Sequence, residues 1–250
     1  MTPTVTPLCC GSLTMDKSVL VAGETGVEIV APSLSFLVEA ERTVLVDTSF
    51  GDVDRMNDLH PGFDCRRDDG QTVEAALAGE GYEPGDVDAV VLTHLDWDHC
   101  YNLDTFVDGG ATVYVQRREL AYAIAPYPMH ATRYEAKSLG REPPWLSVDL
   151  TPVEGETEIC SGVTVFPTPG HTVGHQSVAV DTDEGTTVIA MDAIPTFENL
   201  DGGDDAPFRR GGAVNDFDWW ASAKEVAERA DEILPGHEWA LVDAGPEATG

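Results

Sequence analysis

The chain has 250 residues, with 45 Asp and Glu against 14 Lys and Arg and a net charge of -31. So acidic a surface repels nucleic acid and anionic membranes, and neither is expected as a partner. The acids are scattered along the chain with no acidic tail, which points to a halophilic adaptation more than to a dedicated acidic binding face; molar salt screens self-repulsion to about 3 Å. The five cysteines form no CxxC pair, as expected of buried thiols in a reducing compartment. The N-terminus has neither the basic nor the apolar region of a signal peptide, and no apolar run approaches the ~20 residues of a membrane span. A single domain over residues 1–250, a cytoplasmic location and a small-molecule partner are therefore expected; the oligomeric state is left open.

In chain order, the strand candidates are Ser35–Val38, Thr43–Val46, Ala89–Leu92, Thr112–Val115, Val163–Phe166, Ser177–Val180 and Thr187–Ala190, apolar or β-branched runs bounded by Gly, Pro and Asp. Helices are expected over Thr72–Ala78 and Arg118–Ile124, and from Asp216, as N-cap, to about Ala230. Trp219 and Trp220 open the last of these and read as packing residues. Asp58–Gly70, Ala125–Ser147 and Pro195–Val214 read as long loops. Many short strands with helices between groups of them suit a layered α/β sandwich.

The densest constellation is Thr93-His94-Leu95-Asp96-Trp97-Asp98-His99, directly after the apolar strand Ala89–Leu92. Four potential metal ligands fall within six residues, and imidazole with carboxylate suits zinc, iron or manganese. Three later pieces follow strands in the same way: Pro169-Gly170-His171 after Val163–Phe166, Asp192 after Thr187–Met191, and Pro235-Gly236-His237 after Ile233–Leu234. A lone Asp after a strand is usually a turn residue or cap; beside the other three pieces it reads as a ligand.

Together these pieces resemble the metallo-β-lactamase superfamily, whose signature is HxHxDH followed by a distant His, Asp and His. The resemblance implies a four-layer αββα sandwich with two divalent metal ions at one edge of the sheets. It matches His94 and His171 to ligands of the first ion, Asp98, His99 and His237 to ligands of the second, and Asp192 to the bridging carboxylate. The chain is most similar to the N-acyl-homoserine lactonase branch, through Asp16-Lys17-Ser18, Leu45-Val46-Asp47-Thr48, Val115-Gln116-Arg117, the run Pro169–Ser177, Asp192-Ala193 and Glu198-Asn199. That implies ester or lactone hydrolysis through a metal-bridging hydroxide, with Asp98 orienting the nucleophile and relaying its proton to the leaving oxygen.

Two positions depart from the pattern. Asp96 stands where the family has its second His; as a further ligand it is a harder donor, so zinc is expected but manganese or iron stays open. Pro195 stands where those lactonases have a catalytic Tyr, three residues after Asp192. Alternative readings are a thioester hydrolase of the glyoxalase II type and a redox di-iron protein of the same fold, the latter needing a flavin domain that these 250 residues do not include. His175 reads as structural, Asp47 as a hydrogen-bond acceptor for a ligating His, and Cys100 as a buried thiol. His60 and His130 are expected on the surface, with His130 and Tyr127 as a possible pocket wall.

Overall fold

The computed structural model describes residues 2–203 and 206–242, so part of the expected loop over Pro195–Val214 lies outside the described residues. Twelve strands among them form two sheets. The larger takes β1 (Thr4–Asp16), β2 (Glu28–Glu39), β3 (Thr43–Val46), β4 (Asp64–Arg66), β5 (Ala89–Val91), β6 (Thr112–Gln116) and β7 (Leu150–Val153), in the order β4-β1-β2-β3-β5-β6-β7. The smaller takes β8 (Thr157–Cys160), β9 (Val163–Pro167), β10 (Gln176–Thr182), β11 (Gly185–Met191) and β12 (Glu232–Pro235), in the order β12-β11-β10-β9-β8.

The alternation of side chains along a strand divides the core. In the larger sheet Phe36, Val38, Val44, Val46, Ala89 and Val91 face the smaller one, meeting Val163, Val165, Val178, Val180, Ile189 and Met191 between the sheets. Their alternates Leu37, Leu45 and Val90 face outward, under α2 (Val73–Gly79) and α3 (Leu103–Asp108), where Val73, Leu77, Leu103 and Phe106 are buried. The outer face of the smaller sheet, with Phe166, Val188 and Ala190, is covered by Trp219, Ala223 and Val226 of α5 (Asp216–Arg229). The layers therefore run helix, sheet, sheet, helix, the four-layer α/β sandwich that the family resemblance implies.

Three local expectations are corrected. Asn215, not Asp216, caps α5, its side chain accepting from the backbone N–H of Phe217 and Asp218. Within the expected loop Asp58–Gly70, residues 64–66 pair with β1 as the edge strand β4. β1 itself was not among the strand candidates, because Pro7, Gly11 and polar residues break its alternation; a register shift between Cys9 and Ser12 absorbs the break. Of the two tryptophans, both expected to pack, Trp219 is buried and donates to Ala193 O at 2.9 Å, while Trp220 is exposed. No helix among the described residues is long and apolar enough to cross a membrane.

Candidate metal centre

Parallel strands β3, β5 and β6 end on the same rim of the larger sheet, and the loops leaving β3 and β5 carry Asp47 and the segment 93–99. The smaller sheet brings up the loop between β9 and β10 with His171, the end of β11 with Asp192, and the end of β12 with His237. All seven residues expected at the site converge on this rim. Asp47 and Met191, the residue before Asp192, hold positive φ angles of 58° and 46°, strained conformations that persist only where surrounding contacts fix them.

Among the described residues the donor atoms fall in three groups, one of them Asp47, His94 and His99, and the other two adjoining it. His94, His171 and Asp192 each offer one atom within 4.8 Å of the others, and Asp98, His99 and His237 do the same. Asp192 links them: its Oδ2 lies 3.2 Å from His171 Nε2, and its Oδ1 lies 3.2 Å from His237 Nε2 and 3.6 Å from His99 Nε2. Asp96 joins the first set, with Oδ2 3.2 Å from His171 Nε2 and 3.5 Å from His94 Nε2. His94 Nε2, His99 Nε2 and Asp192 Oδ1 are buried with no hydrogen-bond partner among the described residues. Buried polar atoms are costly to leave unpaired, and three of them aimed at common points fit divalent cations.

Contacts on the far side of the imidazoles fix their tautomers. His237 Nδ1 lies 2.8 Å from Pro32 O and His171 Nδ1 lies 2.7 Å from Gly212 O. Carbonyl oxygens only accept, so both Nδ1 atoms carry the proton and both Nε2 lone pairs face the site. His99 Nδ1 lies 2.8 Å from Asp47 Oδ2, and Asp47 also accepts from Thr93 N and Thr93 Oγ1 at 2.7 and 2.6 Å. Asp47 is thus the hydrogen-bond acceptor behind His99.

The carboxyls and imidazoles perturb one another. Burial pushes Asp192 up, but His237, His171 and His99 outweigh it and hold it well below the usual carboxylate range. Burial also pushes Asp96 up, and the Arg133 guanidinium with His171 and His94 reverses that. For His99, burial lowers the value, while Asp192, Asp98 and Asp47 together raise it to about 10.

Two glycines set the His171 loop. A Cβ on Gly170, where φ is 133°, would stand 2.2 Å from Trp219 N, and one on Gly174 would stand 2.2 Å from Glu119 N. Glu119 lies in α4 (Arg117–Ala123) and is fully buried. Its Oε1 accepts from Leu95 N at 3.2 Å and its Oε2 from Gly174 N at 2.8 Å, tying the loop after β5 to the loop between β9 and β10. Nothing in the local pattern signals this, because an acid in a first helical turn ordinarily faces solvent at the positive end of the dipole.

Above the donors opens a cavity of about 260 Å³, bounded by Met15, Leu20, Phe63, Trp97 and Pro195 on its apolar side and by Asp96, Asp98, Arg133, His171, Asp192 and His237 at its floor. His60, expected on the surface, is instead buried and lines this cavity, its ring stacked 4.0 Å from Trp97 and its Nε2 2.7 Å from Glu135 Oε1. His130 Nδ1 meets the Tyr122 hydroxyl at 2.6 Å, and neither His130 nor Tyr127 is among the residues bounding the cavity. Cys100 is buried, its thiol donating to the carbonyls of Leu95 and Asp96, and burial holds it protonated, well above the usual thiol range.

A family model of the metallo-beta-lactamase superfamily matches residues 29–237. An N-acyl homoserine lactonase of Bacillus thuringiensis is 33% identical over 129 residues, which is 51% of this chain and 46% of that protein. The chain thus spans about half the length of the curated relatives it matches first. Among solved structures, a Bacillus thuringiensis AiiA mutant with N-decanoyl-L-homoserine bound at its active site superimposes with a TM-score of 0.78 at 23% identity, covering 100% of this chain and 99% of that one. AidC, a dizinc quorum-quenching lactonase, gives a TM-score of 0.69 at 16% identity over 99% of this chain and 92% of its own. At these identities the two structures speak to the fold.

Proposed function

The chain belongs to the metallo-β-lactamase superfamily, and from that premise we propose that it is a metal-dependent hydrolase acting on an ester or lactone. The observation that carries this is the pair of donor sets sharing Asp192, with buried unpaired atoms at the floor of an apolar cavity. His94, His171 and Asp192, with Asp96 beside them, would hold one ion, and Asp98, His99 and His237 would hold the other. Two divalent ions bound there supply Lewis acidity and water made acidic enough to lose its proton near neutral pH. Zinc is the first candidate; the carboxylate of Asp96 leaves manganese and iron in contention.

The chain's own groups supply the rest. Met15, Leu20, Phe63, Trp97 and Pro195 offer an apolar wall for an acyl group and exclude water from it. Asp98, partly exposed at the cavity floor, accepts the proton of the attacking water and passes it to the leaving oxygen. Asp47 and the carbonyls of Pro32 and Gly212 keep the imidazoles turned inward throughout.

The activity is expected to disappear when metal is stripped by chelator and to return with added zinc, manganese or iron. A panel of acyl-homoserine lactones, simple lactones, aryl esters, thioesters and phosphoesters, assayed with each metal, tests it. Full turnover by rigorously metal-free protein, or turnover confined to thioesters or phosphoesters, would overturn the reading.

A further inference from the structure

The two halves of the centre differ in what already holds their donors. In each half one inward imidazole atom, His99 Nε2 in one and His94 Nε2 in the other, has no hydrogen-bond partner among the described residues. In the His94–His171 half, a cation of the chain itself already holds two of the donors. The Arg133 Nε donates to Asp96 Oδ1 and Oδ2 at 3.0 and 2.9 Å, and its Nη2 bonds Asp96 Oδ2. The same Nη2 lies 2.7 Å from His171 Nε2.

That last contact is exclusive. His171 Nδ1 keeps its proton for Gly212 O, so Nε2 has a single lone pair. One lone pair accepts an N–H or ligates an ion, and cannot do both. Arg133 is also the only Arg or Lys among the described residues bounding the cavity. Its side chain is 24% exposed, and its Nη1 makes no hydrogen bond among the described residues, so the guanidinium has room to withdraw its Nη2 edge.

Charge accounts for the pair's presence. An Asp and an Arg together carry the zero charge of the neutral imidazole that the family pattern places at residue 96. Asp96 alone would add a negative charge to a floor that already holds Asp98 and Asp192. Unlike an imidazole, however, the pair contains a positive end that repels a metal ion and contests its donors.

We propose that Arg133 is an internal competitor for the metal ion of the His94–His171 half, so that the two halves load unequally, the His99–His237 half first. This rests on the donor sets of the proposed function. Loading of the second ion requires Arg133 Nη2 to leave His171, while Nε keeps its hold on Asp96. Arg133 is therefore a specificity-determining residue for metal stoichiometry.

The experiment titrates chelator-stripped protein with Mn²⁺, and separately Zn²⁺, by equilibrium dialysis with elemental analysis. Wild type should take up two ions in two resolved steps. Arg133→Met should tighten the weaker step by roughly tenfold or more, the scale of a nearby charge or outer-shell partner, and leave the tighter step alone. Arg133→Lys, which keeps the charge, should leave the weaker step weak. Two equal steps in wild type, or a weaker step that Arg133→Met fails to tighten, would overturn the competition. Absence of uptake by every form would overturn the metal centre itself. Should Arg133→Met not fold by circular dichroism, wild type labelled with ¹⁵N-arginine decides: the Arg133 guanidinium resonance should stay put through the first equivalent and shift with the second. A shift with the first equivalent, or none at all, counts against the proposal.

Discussion

Glu119 lends itself to a quantitative test, because its two carboxyl oxygens serve two different ligand loops. Leu95 N and Gly174 N each reach one oxygen, at 3.2 and 2.8 Å, and neither has another acceptor among the described residues. Glu119→Ala leaves both buried N–H groups unsatisfied. Each such group costs about 1–3 kcal/mol, so the variant should lose roughly 2–6 kcal/mol of a total stability on the order of 5–15 kcal/mol. Glu119→Gln keeps one carbonyl acceptor and turns an amide donor toward the other N–H, so its loss should fall between wild type and Ala. Denaturant unfolding of the chelator-stripped protein measures both. Metal affinity should fall as well, by about 10–100-fold as for other outer-shell partners, since Leu95 is flanked by His94 and Asp96, and Gly174 lies three residues after His171. An Ala variant that loses less than ~1 kcal/mol and keeps wild-type metal affinity would refute the bridging role.

Asp96→His, which restores the family pattern, should destabilise the protein by roughly 2–3 kcal/mol, less than a fully buried broken pair because Arg133 is a quarter exposed; adding Arg133→Met should recover the loss and shift the bound metal toward zinc, as unfolding curves and elemental analysis will show. In metal-free protein, His99 is raised from 6.5 to about 10, so its contribution is fully present below the unfolded value and lost as pH rises through the folded one. Denaturation midpoints should fall across that alkaline window in chelator, and the slope should flatten with metal bound; equal slopes in both conditions would speak against it. The charge of -31 predicts a melting temperature that climbs from low to molar salt, because the screening length shrinks from about 30 Å at 0.01 M to about 3 Å at 1 M; a melting temperature indifferent to salt would remove the halophilic reading.

The legible parts of this molecule are those in which chemistry and chain position coincide. His94, Asp98 and His99 are crowded into one turn after a strand, and His171, Asp192 and His237 each follow an apolar run. Strand ends gather on a rim, so position along the chain predicted position in space. The central strands were legible for a related reason: buried on both faces, they read as unbroken apolar runs. β1 was not, since its pairing with β2 tolerates Pro7 and a register shift that local pattern cannot foresee. The helix α1 (Val53–Leu59) buries Met56 alone and so shows no apolar stripe, and α3 starts from Asn102 without a side-chain cap.

The remaining features at the site were invisible because their meaning lies in a partner far along the chain. Arg133 meets Asp96 across 37 residues, from within what reads as a featureless loop. Glu119 meets Gly174 across 55. Read alone, Asp96 is a substitution that changes the hardness of one ligand. Paired with Arg133 it becomes a neutral unit with a movable positive end, which alters how readily half of the centre accepts an ion, besides which ion it prefers. The two accounts part at Asp96→His. If residue 96 were an independent ligand, imidazole there would improve zinc binding at little cost in stability. If it is half of a pair, the same change strands Arg133 against His171 without its Asp96 partner, and only the double variant behaves as the family pattern would.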